Sequence, residues 1–263
     1  MSLRVVLVGW GAIGRTVAGL LSTDSIELVG VGIRSERDLP DVPTTATVIT
    51  DPRDLSALAP DVVAEAASRE AVIPWGRAAL AAGADFVVSS VSAFADPDAL
   101  ADLRSAAIAG GAQVQIQTGA LTGIDALAAA RPMRVDIVRH RIVKPPAAWK
   151  GTPAEDLCDL DGLTEPTVFS RSSAAQAART FPKNANVAMT TALAGIGPDE
   201  TEIILVADPT AATNRHELHA EGGFGTMDVV MANNPLPTNP KTSAMAALSL
   251  VRAIENRASP IAI

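Results

Sequence analysis

The first half of the chain alternates short apolar runs with alanine-rich segments of helical periodicity. The runs "LRVVLVG", "IELVGVGI", "DVVAEAA", "DFVVSS" and "AQVQIQTG" are separated by segments such as "AIGRTVAGLLS" and "DPDALADLRSAAIAGG". Strands that are apolar on both faces are typical of a parallel sheet covered by helices on both sides. The pattern predicts an α/β fold with a doubly wound domain over residues 1–118.

The pattern changes in the second half, where strands alternate polar and apolar positions. Residues 133–146 and 201–209 are predicted strands, and residues 215–232 are predicted to form a hairpin that turns near Gly222. Helical segments lie between these strands. Together they predict a second, α+β domain over residues 119–238, built on a mixed sheet with helices on one face.

The last predicted element is a helix. Residues 239–258, "NPKTSAMAALSLVRAIENRA", have helical periodicity. Asn239 is expected to cap this helix, and Pro240 is expected at its first position, where a backbone N–H is not needed. Residues 239–263 are expected to complete the first domain.

Composition and charge narrow the classes of partner. The 263 residues are 48% hydrophobic and carry a formal net charge of −8 without a basic run, which argues against nucleic acid and favours a small molecule. No run approaches the roughly 20 apolar residues of a membrane span, and the N-terminus lacks the pattern of a targeting peptide. The single cysteine, Cys158, excludes an internal disulfide. We therefore expect a cytoplasmic protein without nucleic-acid or membrane partners.

Gly9, Gly11 and Gly14 form a GxGxxG pattern between the first predicted strand and the first predicted helix. The first glycine allows a tight turn, the second lets the backbone approach a pyrophosphate, and the third lets the helix lie close to the strand. The helix start, at Ala12 and Ile13, offers free N–H groups and a positive potential to phosphates. This context predicts a Rossmann-type domain that binds a nicotinamide dinucleotide.

The end of the second predicted strand indicates which nicotinamide cofactor binds. An acidic residue that bonds the ribose 2′-hydroxyl of NAD is expected there, but the strand ends in Arg34 and Ser35, and Glu36 and Asp38 follow late. An arginine at this place favours the 2′-phosphate of NADP. We expect NADP to be accepted and slightly preferred, with NAD as the other candidate; the alternative is a solvated Arg34 without a role.

Four polar motifs in the second half make the chain resemble a known family. The motifs are Lys144 with two prolines and Trp149 after it, "FPKNANVA" (181–188), "ADP" (207–209) followed by Asn214-x-His216, and "NPKTS" (239–243). With the glycine-rich loop, they resemble the L-aspartate dehydrogenases, two-domain enzymes that deaminate aspartate with NAD or NADP. The similarity runs from that loop to the last helix.

The resemblance implies roles for three residues. His216 corresponds to the catalytic histidine of the family, and Ala120 and Asn186 correspond to residues that contact the cofactor. The chain also departs from the family, because Ser92, Phe94 and Thr122 stand where glycine, leucine and glycine are usual. These departures keep open a different amino or hydroxy acid as the substrate.

The implied reaction sets chemical requirements for the site. Hydride leaves the α-carbon of aspartate for the nicotinamide, and water then converts the iminoaspartate into oxaloacetate and ammonia. A histidine suits the proton acceptor that this needs near neutral pH, so we expect His216 to activate the water or take the amine proton, with Asn214 orienting it.

Lys144, Thr242 and Ser243 are candidate partners for the two substrate carboxylates. Thr242 and Ser243 would add hydroxyls to the free N–H groups of a helix start, and Lys241 is a further cation nearby in sequence. The alternative is ordinary helix capping with solvated lysines.

Alternation along "RHELHAE" separates the two histidines of this segment. His216 is expected on the apolar face with Leu218, and His219 on the charged face with Glu217 and Glu221, so the pair cannot hold a metal ion together and none is expected.

We expect a homodimer, the commonest closed symmetry. The alternatives are a dehydrogenase of the same scaffold with another substrate, and a non-catalytic sensor of NADPH; the family reaction would also suit NAD biosynthesis.

Overall fold

A computed structural model describes residues 2–35, 39 and 41–262 of the chain. The chain divides into two compact units, one formed by Met1–Gly119 with Ala246–Ile263 and the other by Ala120–Met245. Glu36 and Asp38, considered above for cofactor choice, lie outside the described residues. Within the described ranges, no helix has both the length and the apolar character needed to cross a membrane.

The first unit is a six-stranded parallel sheet with helices. Its elements are β1 (Leu3–Val8), α1 (Ala12–Leu20), β2 (Ile26–Gly32), β3 (Thr47–Ile49), β4 (Val62–Glu65), α2 (Arg69–Ala81), β5 (Asp85–Val88), α3 (Pro97–Gly110) and β6 (Val114–Ile116), with 3₁₀ turns at Pro52–Leu58 and Val91–Ala95. The strand order β3-β2-β1-β4-β5-β6 reverses direction at β1, which is the topological switch point of a Rossmann-type sheet. The doubly wound parallel fold is confirmed.

The apolar runs explain why this sheet forms. Val5, Val6 and Leu7 are consecutive in β1, so their side chains point to both faces, and all three are fully buried. Only a sheet covered on both sides satisfies such a run. The C-terminal helix belongs to the same unit from Ala246 onward, and Arg257 on it forms an ion pair of 2.6 Å with Asp85.

The second unit is built on a five-stranded sheet. Its elements are α4 (Ile124–Ala130), β7 (Val135–Lys144), β8 (Thr167–Ser173), α5 (Ala174–Thr180), α6 (Ala185–Ala194), β9 (Glu202–Ala207), β10 (Asn214–Gly222), β11 (Gly225–Asn233), β12 (Pro235–Leu236), β13 (Asn239–Ser243) and the start of α7 (Ala244–Ala258), with 3₁₀ turns at Arg131–Met133, Pro146–Trp149, Pro153–Asp156 and Pro182–Asn184. The order is β11-β10-β7-β9-β8, with β7 and β9 parallel and the other pairs antiparallel. The predicted mixed sheet and hairpin are confirmed.

The two faces of this sheet differ in polarity. On one face, Ile142 and Leu205 pack with Ala188 of α6 in an apolar core. On the other, Arg141 pairs with Glu217 at 2.8 Å beside a smaller buried apolar cluster of Val143, Ile204 and Val206. The alternation seen in the sequence therefore orients each strand.

The prediction of one helix over 239–258 is wrong at its start. Residues Asn239–Ser243 form β13, which pairs with β12, and α7 begins at Ala244. The Ser243 hydroxyl accepts a hydrogen bond from the Met245 N–H at 3.2 Å, so Ser243 is the cap in place of Asn239. Asn-Pro resembles a helix start, but these residues instead pair with β12, which directly precedes them, in a short hairpin.

Candidate functional site

The first unit contains a cavity of about 600 Å³ at the carboxyl ends of β1, β2 and β4. This volume lies within the range of small-molecule sites, and the position is the one at which doubly wound sheets bind nucleotides. The lining residues include Gly9, Gly11, Arg34, Ser35 and Glu70. The sequence-predicted loop and the end of β2 thus meet at one cavity.

The three glycines of the loop do not all serve the same purpose. Gly9 has φ +102°, and a Cβ there would lie 2.7 Å from the Ala66 carbonyl oxygen; a Cβ at Gly14 would overlap the Gly9 carbonyl. A Cβ at Gly11 would meet nothing within 4 Å, although Gly11 lines the cavity. The fold requires the first and third glycines, whereas the second keeps space open for a ligand. This arrangement fits a dinucleotide pyrophosphate at the start of α1, where Ala12 and Ile13 lie.

Arg34 and Ser35 are exposed at the end of β2 and line the same cavity. Glu70 of α2 lines it too, and its pKa is lowered, mainly by a hydrogen bond with Ser68 and to a lesser degree by the charges of Arg69 and Arg34. The cavity therefore presents a cation and an anion near the expected ribose position.

Sequence reasoning missed Glu65, the last residue of β4. Its fully buried carboxylate accepts hydrogen bonds from the N–H groups of Ala67 at 2.7 Å and Ser90 at 2.8 Å, and from the Ser90 hydroxyl at 2.8 Å. Burial raises the pKa of Glu65, which these hydrogen bonds oppose. The carboxylate fixes the loop at Ala66 and Ala67 that lines the cavity. The sequence feature that could have identified Glu65 is an acidic residue at the end of an apolar strand.

The second unit holds His216 in a buried hydrogen-bonded chain. His216 on β10 is 7% exposed, and His140 on β7 and Thr191 on α6 are fully buried. Nδ1 of His216 lies 3.0 Å from Nε2 of His140, and Nδ1 of His140 lies 2.9 Å from Oγ1 of Thr191. The Thr191 hydroxyl also lies 3.1 Å from the Val187 carbonyl oxygen.

The outer nitrogen of His216 is left for a ligand. Among the described residues, Nε2 of His216 has no hydrogen-bond partner, and the only buried, unpaired side-chain polar atom is Oγ1 of Thr201. Nε2 of His216 therefore reaches solvent. Burial and the nearby charge of Lys144 lower the pKa of His216 to about 3, so the ring is neutral at pH 7.

Lys144 lies beside this chain at the end of β7. Its Nζ donates a hydrogen bond of 2.5 Å to Oδ1 of the buried Asn184 and lies 4.9 Å from the Trp149 ring centre. Burial and the charge of Lys183 lower the pKa of Lys144 to about 8, so it is mostly cationic at pH 7. A half-buried ammonium with a single hydrogen-bond partner among the described residues is suited to bind an anion.

The other residues predicted from the sequence are placed differently from the expectation. Asn214 precedes His216 on β10, but no hydrogen bond joins their side chains within the described residues; His140 holds the ring instead. Ser243 caps α7 and its hydroxyl donates to Oδ1 of Asn233 at 2.7 Å. Thr242 accepts a hydrogen bond from Asn239 at 3.2 Å. The Ser243 hydroxyl lies at the start of α7 but is already engaged by the Met245 N–H and Asn233, and Thr242 lies in β13. The Lys241 side chain lies outside the described part.

Ala120 and Asn186 both belong to the second unit. The Ala120 carbonyl accepts a hydrogen bond of 3.0 Å from the buried side chain of Asn233, which fixes this part of the chain. Asn186 is exposed in the first turn of α6. Of the three departures from the family pattern, Phe94 is buried at 3% exposure and Thr122 is exposed, whereas Ser92 lies in the 3₁₀ turn after β5.

His219 points to the opposite face from His216. It contacts Asp228 and Glu221, each at 2.7 Å, and hydrogen bonding to Asp228 is the main cause that raises its pKa. The prediction that the two histidines lie on opposite faces is confirmed.

His140 and Thr191 were not identified from the sequence. His140 alternates with Val138 and Ile142 along β7, so the argument that singled out His216, a histidine among apolar neighbours on one strand face, applies equally to it. Thr191 gave no signal, because a threonine within an apolar helix is common and only the tertiary structure brings it to His140.

Comparison with known proteins gives consistent matches. Sequence models described as "Homoserine dehydrogenase, NAD binding domain" and "Aspartate dehydrogenase, C-terminal" match residues 9–117 and 125–257. L-aspartate dehydrogenases from Brucella anthropi (50% identity, 100% of this chain and 99% of that protein) and Cupriavidus necator (43%, 99% and 100%) are similar throughout. The crystal structure of aspartate dehydrogenase from Thermotoga maritima is similar with a TM-score of 0.82, 26% identity and 100% of both chains covered.

Proposed function

The chain belongs to the L-aspartate dehydrogenase family, and we propose that it oxidises L-aspartate to oxaloacetate and ammonia with His216 as the proton acceptor. The enzyme is a nicotinamide-dependent amino-acid dehydrogenase. The observation that carries the role of His216 is its neutral ring, held through Nδ1, with Nε2 unpaired and open to solvent.

His216 has to accept a proton only when substrate is bound. In the free protein its pKa is about 3 because of burial and the charge of Lys144. A dicarboxylate that pairs with Lys144 compensates this charge, the smaller of the two causes, and so raises the pKa of His216, which makes its Nε2 a better proton acceptor. A nicotinamide held in the cavity of the first unit would supply the hydride acceptor. Nε2 of His216 would take the proton of the attacking water.

Lys144 is proposed as the partner of a substrate carboxylate. Its ammonium is fixed by Asn184 and Trp149, so little side-chain entropy is lost when an anion binds. The other predicted substrate or catalytic residues are less favoured. The hydroxyls of Thr242 and Ser243 are engaged elsewhere, and Asn214 forms no hydrogen bond with His216 among the described residues.

The experiment that tests the function follows the absorbance of the reduced nicotinamide. L-aspartate, and oxaloacetate with ammonia in reverse, are expected to be turned over; L-alanine, which lacks the second carboxylate, and L-malate, which lacks the amine, are expected to be poor substrates.

Lys144→Met is expected to raise the KM for aspartate by roughly 10–100-fold, because a charged hydrogen bond contributes about 1.5–3 kcal/mol. Lys150→Met, which removes an exposed lysine paired with Asp161, is the control. Turnover of malate but not aspartate would refute the substrate assignment.

For the cofactor, we propose that NADP binds at least as well as NAD and that Arg34 pairs with its 2′-phosphate. Arg34→Ala is expected to weaken NADP binding by about tenfold, the effect of one partly exposed charged hydrogen bond, and to leave NAD binding unchanged. Calorimetric titration of both cofactors measures this. Arg69→Ala, at the exposed start of α2, is the matched control. Equal losses for NAD and NADP in Arg34→Ala would contradict the pairing.

The homodimer and the cytoplasmic location stay predictions.

A further inference from the structure

The direction of hydrogen bonding along Thr191, His140 and His216 follows from the group to which the Thr191 hydroxyl donates. A hydroxyl has one hydrogen, and a carbonyl oxygen can only accept. If the Thr191 hydroxyl donates to the Val187 carbonyl at 3.1 Å, its contact of 2.9 Å with Nδ1 of His140 is a hydrogen bond only when that nitrogen carries the proton. The side chains of Thr191 and His140 are fully buried, so their polar atoms need partners.

The direction then propagates to the outer ring. His140 is neutral because burial, together with the charge that His216 can carry, holds its pKa well below the ordinary value. A neutral ring protonated on Nδ1 has a lone pair on Nε2. That lone pair faces Nδ1 of His216 at 3.0 Å, so Nδ1 of His216 must be the donor and its Nε2 must be bare.

We propose that Thr191 and His140 are positioning residues that hold His216 in the tautomer whose Nε2 can accept a proton. The proposal rests on the proposed role of His216 as the base and adds the groups that keep it competent. When Nε2 takes a proton from water, the Nδ1–H of the resulting imidazolium still donates to His140. The opposite tautomer of His140 would place an N–H against this N–H and oppose the transfer. The charge of Lys144 lowers the pKa of His216. The charge that His216 gains when it takes a proton lowers the pKa of His140.

A matched pair of variants at Thr191 tests the effect on catalysis. Thr191→Val keeps the shape and removes the hydroxyl, which frees His140 to reverse its tautomer; Thr191→Ser keeps the hydroxyl. We expect kcat to fall by about 10–100-fold in the valine variant, the usual effect of removing a group that orients a functional histidine, with KM for the cofactor unchanged, and to recover to within about threefold of the wild type in the serine variant. Equal kcat in both variants overturns the proposal.

Nitrogen-15 NMR of the histidine side chains in the wild-type protein gives a readout that does not depend on activity. The chain has only three histidines, so His219→Asn and His216→Asn assign the resonances. In the wild type, His216 and His140 are both expected to be protonated on Nδ1 and bare on Nε2. A proton on Nε2 of His216 overturns the proposal directly.

The two hypotheses fail in distinguishable ways. If His216→Asn turns aspartate over normally, the proposed base is wrong whatever the tautomers are. If His216 is essential but kcat is the same in Thr191→Val and Thr191→Ser, only the positioning role is wrong.

Discussion

Replacement of His216 by asparagine is expected to lower kcat for aspartate by about 10²–10⁴-fold, the range that a positioned general base contributes. The asparagine amide can still reach towards His140 but has no nitrogen that accepts a proton. Cofactor affinity should not change, because no cofactor contact is assigned to His216 and the nucleotide cavity lies in the first unit. Single-turnover kinetics with a saturating cofactor measure the loss.

His219→Asn is the control for this experiment. It removes a histidine from the same strand, but from the charged face, where its partners are Asp228 and Glu221. We expect its kcat to stay within about twofold of the wild type, because surface ion pairs contribute little. Near-normal turnover in His216→Asn, or an equal loss in both variants, would contradict the assignment.

Replacement of Gly11 by valine is expected to abolish most cofactor affinity without destabilising the fold. Gly11 has φ −90°, which valine adopts readily, and a Cβ there meets no atom within 4 Å. The side chain would instead occupy the cavity where a pyrophosphate approaches the start of α1. Loss of one or two charged hydrogen bonds predicts roughly 10–1000-fold weaker binding.

Variants at two other glycines of α1 serve as controls for this prediction. Gly19→Ala, on the exposed side of α1 with nothing within 4 Å, should leave affinity unchanged and should not lower Tm, because alanine is a better helix former than glycine. Gly14→Ala should lower Tm and cofactor affinity together, because its Cβ would overlap the Gly9 carbonyl and push α1 away from β1. Calorimetry for affinity and thermal unfolding for Tm separate the three cases. A large fall in Tm for Gly11→Val would show that this glycine serves the fold instead.

The sequence predicted the first unit well because its information is local. Apolar runs such as "RVVLV" are compatible only with covered parallel strands, and the GxGxxG spacing encodes a turn, a close approach and a helix start within six residues. In the second unit, the alternation of polar and apolar residues along β10 was enough to place His216 and His219 on opposite faces. The same local reasoning went wrong at Asn239–Ser243, because β12 supplied hydrogen-bond partners that a helix start has to forgo.

What the tertiary structure decided is which side chains meet. Sequence alone determined the two-domain α/β plan, the glycine-rich nucleotide loop and one histidine on an apolar strand face. The partners of that histidine come from β7 and α6, and His140 is 76 residues away along the chain, a distance that no periodicity within a segment reports. The direction of the hydrogen bonds and the contact of the half-buried Lys144 with Asn184 arise for the same reason, because each needs two segments to be packed before either side chain has its partner.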